Sequence, residues 1–417
     1  MIGGLLLAAT LTGQAQVQPT SQLVGTWSGK LNAMGVKLTL VLHLEQADGY
    51  VLASLDSPDQ GAKGISCFKE FLSDDSVAVK VEMVGATYRA RLKEGKLDGT
   101  FTQRGMSFPL VLDREELKRP QMPAEPYPYT TEEVSFRNEA DGATLAGTLT
   151  YPQGFETMKK GRVPVVMMVT GSGQQNRDEE IFDHKPFLVI ADYLARRGIA
   201  SLRYDDRGVE QSTGDASQAT TADFAEDAKA GLAYLKGLGK FSKVGILGHS
   251  EGGAIAYMLG SEGVPDFIVS LAGPACKIDT MMVAQLNAIA KTQGATGDIV
   301  ANTNQARFIL LSQSNTPWMK YFLDLDMAPY VKATKCPVLA LGGDKDLNVP
   351  VSINVPALKQ YLPKNKRNVI KTYPGLSHLF QHSATGNPQD AVNIEETIAP
   401  EVLNDIAQWV NGQLTAK

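Results

Sequence analysis

Lys243-Val244-Gly245-Ile246-Leu247-Gly248-His249-Ser250-Glu251-Gly252-Gly253 decides how the rest of the chain is read. It opens as an apolar strand and turns at Gly248-His249-Ser250-Glu251-Gly252. It then runs on through Ala254-Ile255-Ala256-Tyr257-Met258-Leu259, which reads as a helix. G-x-S-x-G between a strand and a helix is the setting of a nucleophile elbow, in which a serine stands on a strained turn above a sheet. The flanking glycines are steric requirements, since a Cβ at either would collide with the neighbouring strand or helix. Ser250 is then the candidate nucleophile. The Glu251 backbone N–H, opening the helix, is a candidate donor to an oxyanion.

A serine hydroxyl needs a base, and the base needs an orienting acid. With the nucleophile on such an elbow, the chain order is serine, acid, histidine. Only His378 and His382 follow Ser250. His378, in Tyr373-Pro374-Gly375-Leu376-Ser377-His378 just past the last strand, is the candidate base. His382 reads as a surface or supporting residue, and His249 as an elbow residue whose side chain points away from that of Ser250. The acid belongs after the strand Pro337 to Leu341, where Gly342-Gly343-Asp344-Lys345-Asp346-Leu347-Asn348-Val349-Pro350 offers two carboxylates. Asp346 is favoured. Asp344 is the alternative and reads as a turn residue bonding its own backbone. A second oxyanion donor belongs to the loop Thr170-Gly171-Ser172-Gly173, with the N–H of Ser172 or Gly173 as candidates. Ser172 as a rival nucleophile lacks an immediately following helix.

Outward from the elbow, strand and helix alternate from about residue 131 to the end, which argues for a mostly parallel sheet covered by helices. The strands are Pro164 to Val169, Ala200 to Tyr204, Phe267 to Leu271, Pro337 to Leu341 and Val369 to Tyr373. An opening hairpin turns at Asp141-Gly142. Helices are expected over Pro186 to Arg197, with Asp183 as its cap, over Ala222 to Leu238, and at the C-terminus. Between Lys277 and Lys335 the alternation breaks into helical patterns with Met281, Met282, Trp318, Met319 and Phe322. This reads as a cap over the site. In Arg203-Tyr204-Asp205-Asp206-Arg207-Gly208, Arg207 and Asp205 read as a buried pair beneath it.

Residues 21–113 have period two instead. Leu38, Leu40, Leu42 and Leu44 alternate with polar or outward positions, as do Val77, Val79 and Val81. Asp48-Gly49 and Asp98-Gly99 read as turns. A small all-β barrel or sandwich of about six to eight strands is expected. Residues 114–130, with Pro120, Pro123, Pro126 and Pro128, read as a stiff linker.

The whole chain of 417 residues is 43% apolar and 20% charged, with a net charge of −5. That is the make-up of a globular protein without a basic surface for nucleic acid. No C-x-x-C pair and no acidic cluster with metal-ligand spacing occurs, so neither metal nor cofactor is expected. Cys67, Cys276 and Cys336 read as free thiols. The last two fall at opposite ends of a sheet, roughly 15–20 Å apart, too far to bridge. Met1 to Gln16 carry an apolar core followed by small residues, the pattern of a secretory signal, though no Lys or Arg precedes the core. No run is long enough for a membrane span. Export to the periplasm or medium is the expectation.

From about residue 130 onward the chain resembles bacterial serine carboxylesterases of the α/β-hydrolase superfamily, of the exported type with a small β domain and a helical lid. The carrying segments are Thr170-Gly171-Ser172-Gly173, Arg203 to Gly208, Gly248 to Gly252, Gly343 to Pro350 and Gly375 to Phe380. One departure is Val209-Glu210, where a second glycine is common. The resemblance implies a Ser250, His378, Asp346 triad hydrolysing small-molecule esters with short to medium acyl chains. Two other substrate classes suit the same triad: peptides, as in relatives of prolyl oligopeptidase, and acetylated or feruloylated polysaccharide. A binding protein on a hydrolase scaffold is a third alternative, against which the intact triad argues.

Overall fold

The computed structural model describes residues 22–415 apart from 34, 48–49, 74, 116–117 and 159–160. The signal read in Met1 to Gln16 and the turn at Asp48-Gly49 lie outside them. The chain divides into two compact units, with the division between Lys118 and Arg119.

In the first unit, eight strands among the described residues follow one another antiparallel. They are β1 (Gly25–Ala33), β2 (Val36–Ala47), β3 (Tyr50–Ser57), β4 (Ala62–Leu72), β5 (Ser76–Val81), β6 (Ala86–Lys93), β7 (Lys96–Gln103) and β8 (Met106–Arg114). Pairing of Trp27 with Arg114 and Ser28 with Asp113 joins β1 to β8 and closes a barrel. Closure leaves no sheet edge unpaired. Leu40, Leu42 and Leu44 point inward with Trp27, Tyr88, Leu97, Leu110 and Leu112, and fill the interior. The Trp27 indole N–H donates to the Leu23 carbonyl at 2.8 Å, which satisfies its one buried polar atom. Asp98-Gly99 is not a turn. Both lie inside β7, and Gly99 is there because a Cβ would collide with the Arg89 carbonyl and with Ala90 on β6. The chain reverses at Glu94 and Gly95, both with positive φ.

The second unit is an α/β fold built on one mixed, mostly parallel sheet. Its strands are β9 (Thr130–Arg137), β10 (Thr144–Tyr151), β11 (Val165–Val169), β12 (Ala200–Tyr204), β13 (Val244–His249), β14 (Ile268–Leu271), β15 (Val338–Gly343) and β16 (Val369–Tyr373). They form one sheet in the order β16-β15-β14-β13-β11-β12-β10-β9. The pairs from β12 through β16 are parallel, and β9 and β10 are antiparallel. The central strands β11, β13, β14 and β15 are buried at every position, as a sheet covered on both faces requires. The helices are α1 (Pro186–Ala195), α2 (Thr221–Gly237), α3 (Glu251–Glu262), α4 (Ile278–Thr292), α5 (Thr303–Gln313), α6 (Pro317–Asp324), α7 (Ala328–Ala333), α8 (Val351–Tyr361) and α9 (Pro400–Thr415). Phe187, Ile190 and Leu194 of α1 join Val402, Ile406 and Val410 of α9 over one face of the sheet. Helices α2 and α3 pack against the strands as well, on β11 and β13. Among the described residues no helix is long and apolar enough to cross a membrane.

Two local expectations change. Asp183 does not cap α1. It sits at φ +60°, and α1 starts on Pro186 after Lys185 with no side-chain cap. Proline at the first helical position needs no N–H partner, which explains the start. The proline-rich segment is not a free linker from Arg119 onward. The Arg119 guanidinium donates to the carbonyls of Ile394 and Phe182 at 3.0 and 2.9 Å. Gln121 brackets the backbone of Thr397 and Ile398 with three bonds of 2.6–3.0 Å. Finally, Glu210 stands at φ +48°, the left-handed region that explains why a glycine is common there.

β11 lies between β12 and β13, so the connections leaving its carboxyl end and that of β13 diverge there. In open α/β sheets this is where ligands bind. Val169 pairs with Gly248, which sets the loop after β11 beside the elbow.

Candidate active site

Ser250 follows β13 with φ 52° and ψ −117°, a conformation that costs a non-glycine residue of order 1–3 kcal/mol. The turn is as tight as its sequence demands. A Cβ on Gly248 would overlap the Gly252 carbonyl, and one on Gly252 would overlap the Val169 carbonyl. The Ser250 N–H is held by the Leu271 carbonyl at 2.9 Å, and α3 begins at the next residue. The first N–H groups of a helix lack intrahelical acceptors, so the Glu251 amide meets the requirement for an oxyanion donor.

His378 and Asp346 are brought together. The His378 Nδ1 lies 2.9 Å from Asp346 Oδ2, and both side chains are buried. The other Asp346 oxygen accepts the N–H groups of Asn348 and Val349, each at 2.8 Å, so the carboxylate cannot swing away. With Nδ1 engaged, Nε2 is the His378 nitrogen left for chemistry. Asp344 is exposed and accepts the Gly375 N–H at 2.7 Å. It ties the two loops together as a turn residue and does not touch His378. His382 is exposed and bonds Glu396 at 2.9 Å.

On the loop after β11, the Gly171 N–H is consumed by the Glu179 carboxylate at 2.7 Å. The next amides, Ser172 and Gly173, remain as the candidates for the second oxyanion donor. The Ser172 side chain faces the buried Glu251 carboxyl and helps to hold its value down. Glu251 also accepts from Thr221 Oγ1 at 2.6 Å and from the Trp318 indole N–H at 2.9 Å. Burial pushes the Glu251 carboxyl up, and these hydrogen bonds offset only part of that rise. Behind the loop, Asp206 accepts from the Thr170 hydroxyl at 2.9 Å and the Gln175 N–H at 2.9 Å. Burial raises Asp206 well above the usual carboxylate range.

Ser250, His378, Ser172 and His249 line one cavity of about 160 Å³. The cap supplies its apolar wall: Met281 and Met282 from α4, and Trp318, Met319 and Phe322 from α6. Trp318 and Phe322 stack, with ring centroids 5.3 Å apart. Gln285 interrupts the wall. It is 6% exposed, and its Oε1 has no hydrogen-bond partner among the described residues.

The expected Arg207–Asp205 pair does not form. Arg207 bonds Asp227 at 2.7 and 2.8 Å and Asp141 at 2.7 Å, while Asp205 pairs with Arg177 at 2.6 Å. Helix α2 carries Asp227 to Arg207, a long-range approach that local sequence does not display. Sequence reasoning also passed over Glu179, and it gave His249 no part beyond the elbow. His249 lines the cavity, with its ring centroid 4.8 Å from that of His378. The one available signal for Glu179 was its place on the oxyanion loop's return, among acidic residues otherwise typical of surface.

Comparison with known proteins gives consistent likenesses. The sequence matches the family described as serine aminopeptidase, S33, over residues 185–321. That span holds the elbow and the cap helices through most of α6, and stops before Asp346 and His378. Esterase EstD of Thermotoga maritima is 27% identical over 280 residues, covering 64% of this chain. The chain spans 65% of the length of that relative. Among solved structures, Est1E from Butyrivibrio proteoclasticus is 16% identical with a TM-score of 0.44, over 68% of this chain and 99% of that one. The Pyrococcus furiosus esterase PF2001 is 17% identical with a TM-score of 0.46, over 72% and 98%.

Proposed function

We propose that this protein is a serine hydrolase that cleaves carboxylic esters through an acyl-enzyme on Ser250. The observation that carries the reading is the 2.9 Å bond between His378 Nδ1 and Asp346 Oδ2, with His378 and the elbow serine lining the same cavity. Likeness to an esterase supports the choice of ester over other acyl substrates.

His378 Nε2 takes the Ser250 proton as Oγ attacks the ester carbonyl. Asp346 holds the ring in the tautomer with Nδ1–H and stabilises the imidazolium that forms. The oxyanion is met by the N–H of Glu251 and by that of Ser172 or Gly173, which are held in place before the substrate arrives. His378 then gives its proton to the leaving alcohol, and water resolves the acyl-enzyme by the same steps. A dry cavity of ~150 Å³ accepts a benzene-sized body, so the 160 Å³ found here suits short to medium acyl groups. The thioethers of Met281, Met282 and Met319 adapt to different shapes.

Hydrolysis of a p-nitrophenyl ester series from acetate to decanoate tests this. The short esters should turn over fastest, and Ser250→Ala, folded by circular dichroism, should lose about 10³–10⁶ in kcat. Cleavage of chromogenic peptides but no ester would move the reading to a peptidase.

A further inference from the structure

We infer that His249 is held as an imidazolium and that, with Glu179, it forms a second buried couple that positions the catalytic loops. Its kinetic part rests on the hydrolase reading above; its structural part does not.

The protonation state follows from counting donors. His249 Nε2 lies 3.1 Å from the backbone carbonyl of His378, and a carbonyl oxygen only accepts, so Nε2 carries a proton. His249 Nδ1 lies 2.9 Å from Glu179 Oε1, the same oxygen that accepts the Gly171 N–H at 2.7 Å. With Glu179 ionised, its Oε1 accepts both N–H groups, and Nδ1 carries a proton as well. Two donating ring nitrogens make the cation. Glu179, His249 and His378 are 3%, 7% and 7% exposed, on the inner wall of the cavity.

The groups that face His249 are Glu179 from the loop after β11, Asp346 from the loop after β15, and His378 from the loop after β16. Burial alone would push His249 down. The charge and hydrogen bond of Glu179 outweigh it, helped by the His378 carbonyl and Asp346, and hold the group above its ordinary value.

The couple therefore fixes three points at once. Glu179 takes the Gly171 N–H, which sets the turn of the oxyanion loop and leaves the following amides free. His249 is the residue before Ser250, so its ring anchors the elbow. Its Nε2–H holds the backbone of His378 itself. His249 and Glu179 bond each other and the backbones of Gly171 and His378, and act as positioning residues. As pH rises through the folded-state value of His249, above about 6.5, the ring loses a proton and one of the two contacts must break. Turnover then falls on the alkaline side while Asp346 still holds the His378 ring.

The test has two arms. In the first, ¹⁵N-histidine NMR of the whole protein is recorded between pH 5 and 10, with His249→Asn to assign the signal. Two protonated ring nitrogens on His249 at pH 7 are expected; a bare nitrogen there, as in a neutral pair with the proton on Glu179, overturns the inference. The second arm measures ester kinetics of Glu179→Gln. Loss of about 10- to 100-fold in kcat is expected, with KM within about threefold and the alkaline limb moved to lower pH. Unchanged kcat overturns the positioning role. Should Glu179→Gln fail to fold, the NMR arm still decides on the wild type. Two protons on His249 with no ester turnover by the wild type would sink the hydrolase reading and the kinetic role, and leave the couple. Ester turnover with a single proton on His249 would sink the couple alone.

Discussion

At the residue scale, the two carboxylates of one loop make a sharp contrast. Asp346 is buried, bonds His378 Nδ1 and accepts two backbone N–H groups, while Asp344 is exposed and holds only Gly375. Asp346→Asn should keep the fold but lose about 10²–10⁴ in kcat, because the amide no longer fixes the Nδ1–H tautomer. Asp344→Asn should stay within about threefold of wild type. Equal losses in parallel kinetics would mean that the structure has assigned the acid wrongly. The elbow at Ser250 and the loops that carry Asp346 and His378 to each other were legible in the sequence because their glycines are set by sterics. Glu179 was not, since its role depends on reaching Gly171 and His249, and no pattern in the chain records that meeting. Arg207 and Asp205 were both read as buried, and both are. Their partners were misassigned because Asp227 and Arg177 come from other segments.

At the scale of elements, Glu251 is the junction. It is the first residue of α3, and its carboxyl joins that helix to Thr221 of α2, Trp318 of α6 and Ser172 of the oxyanion loop. No cation pairs with it among the described residues, and burial raises its folded-state value above the ordinary glutamate value of about 4.3. The native state therefore binds a proton that the unfolded state releases, so this group lowers stability as pH rises from about 4.3 to the folded-state value. Glu251→Gln keeps an oxygen to accept from Thr221 and Trp318 and removes that loss. Urea unfolding should show the variant gaining on wild type between pH 4 and pH 8, with little difference below pH 4. A variant that loses ground as pH rises would show that the carboxylate is held as an anion. The cap helices were visible from their spacing of apolar residues. Which of them serve the cavity was not: α4 and α6 line it, whereas α7 packs on α3 and α8.

For the molecule as a whole, the sequence changes from period two to alternating strand and helix, and the chain divides into two compact units between Lys118 and Arg119. Central strands of the sheet read as continuous apolar runs because both their faces are covered. Barrel closure was beyond local reading, as it rests on Trp27 and Ser28 meeting Arg114 and Asp113 from the far end of the unit. The central claim remains that one serine, Ser250, is the nucleophile. Labelling with a fluorophosphonate probe, followed by peptide mapping by mass spectrometry, tests it most directly. One adduct per chain on the peptide carrying Ser250, absent from Ser250→Ala and strongly slowed in His378→Ala, is the expected result. An adduct on Ser172, or none on folded wild-type protein, would contradict the account.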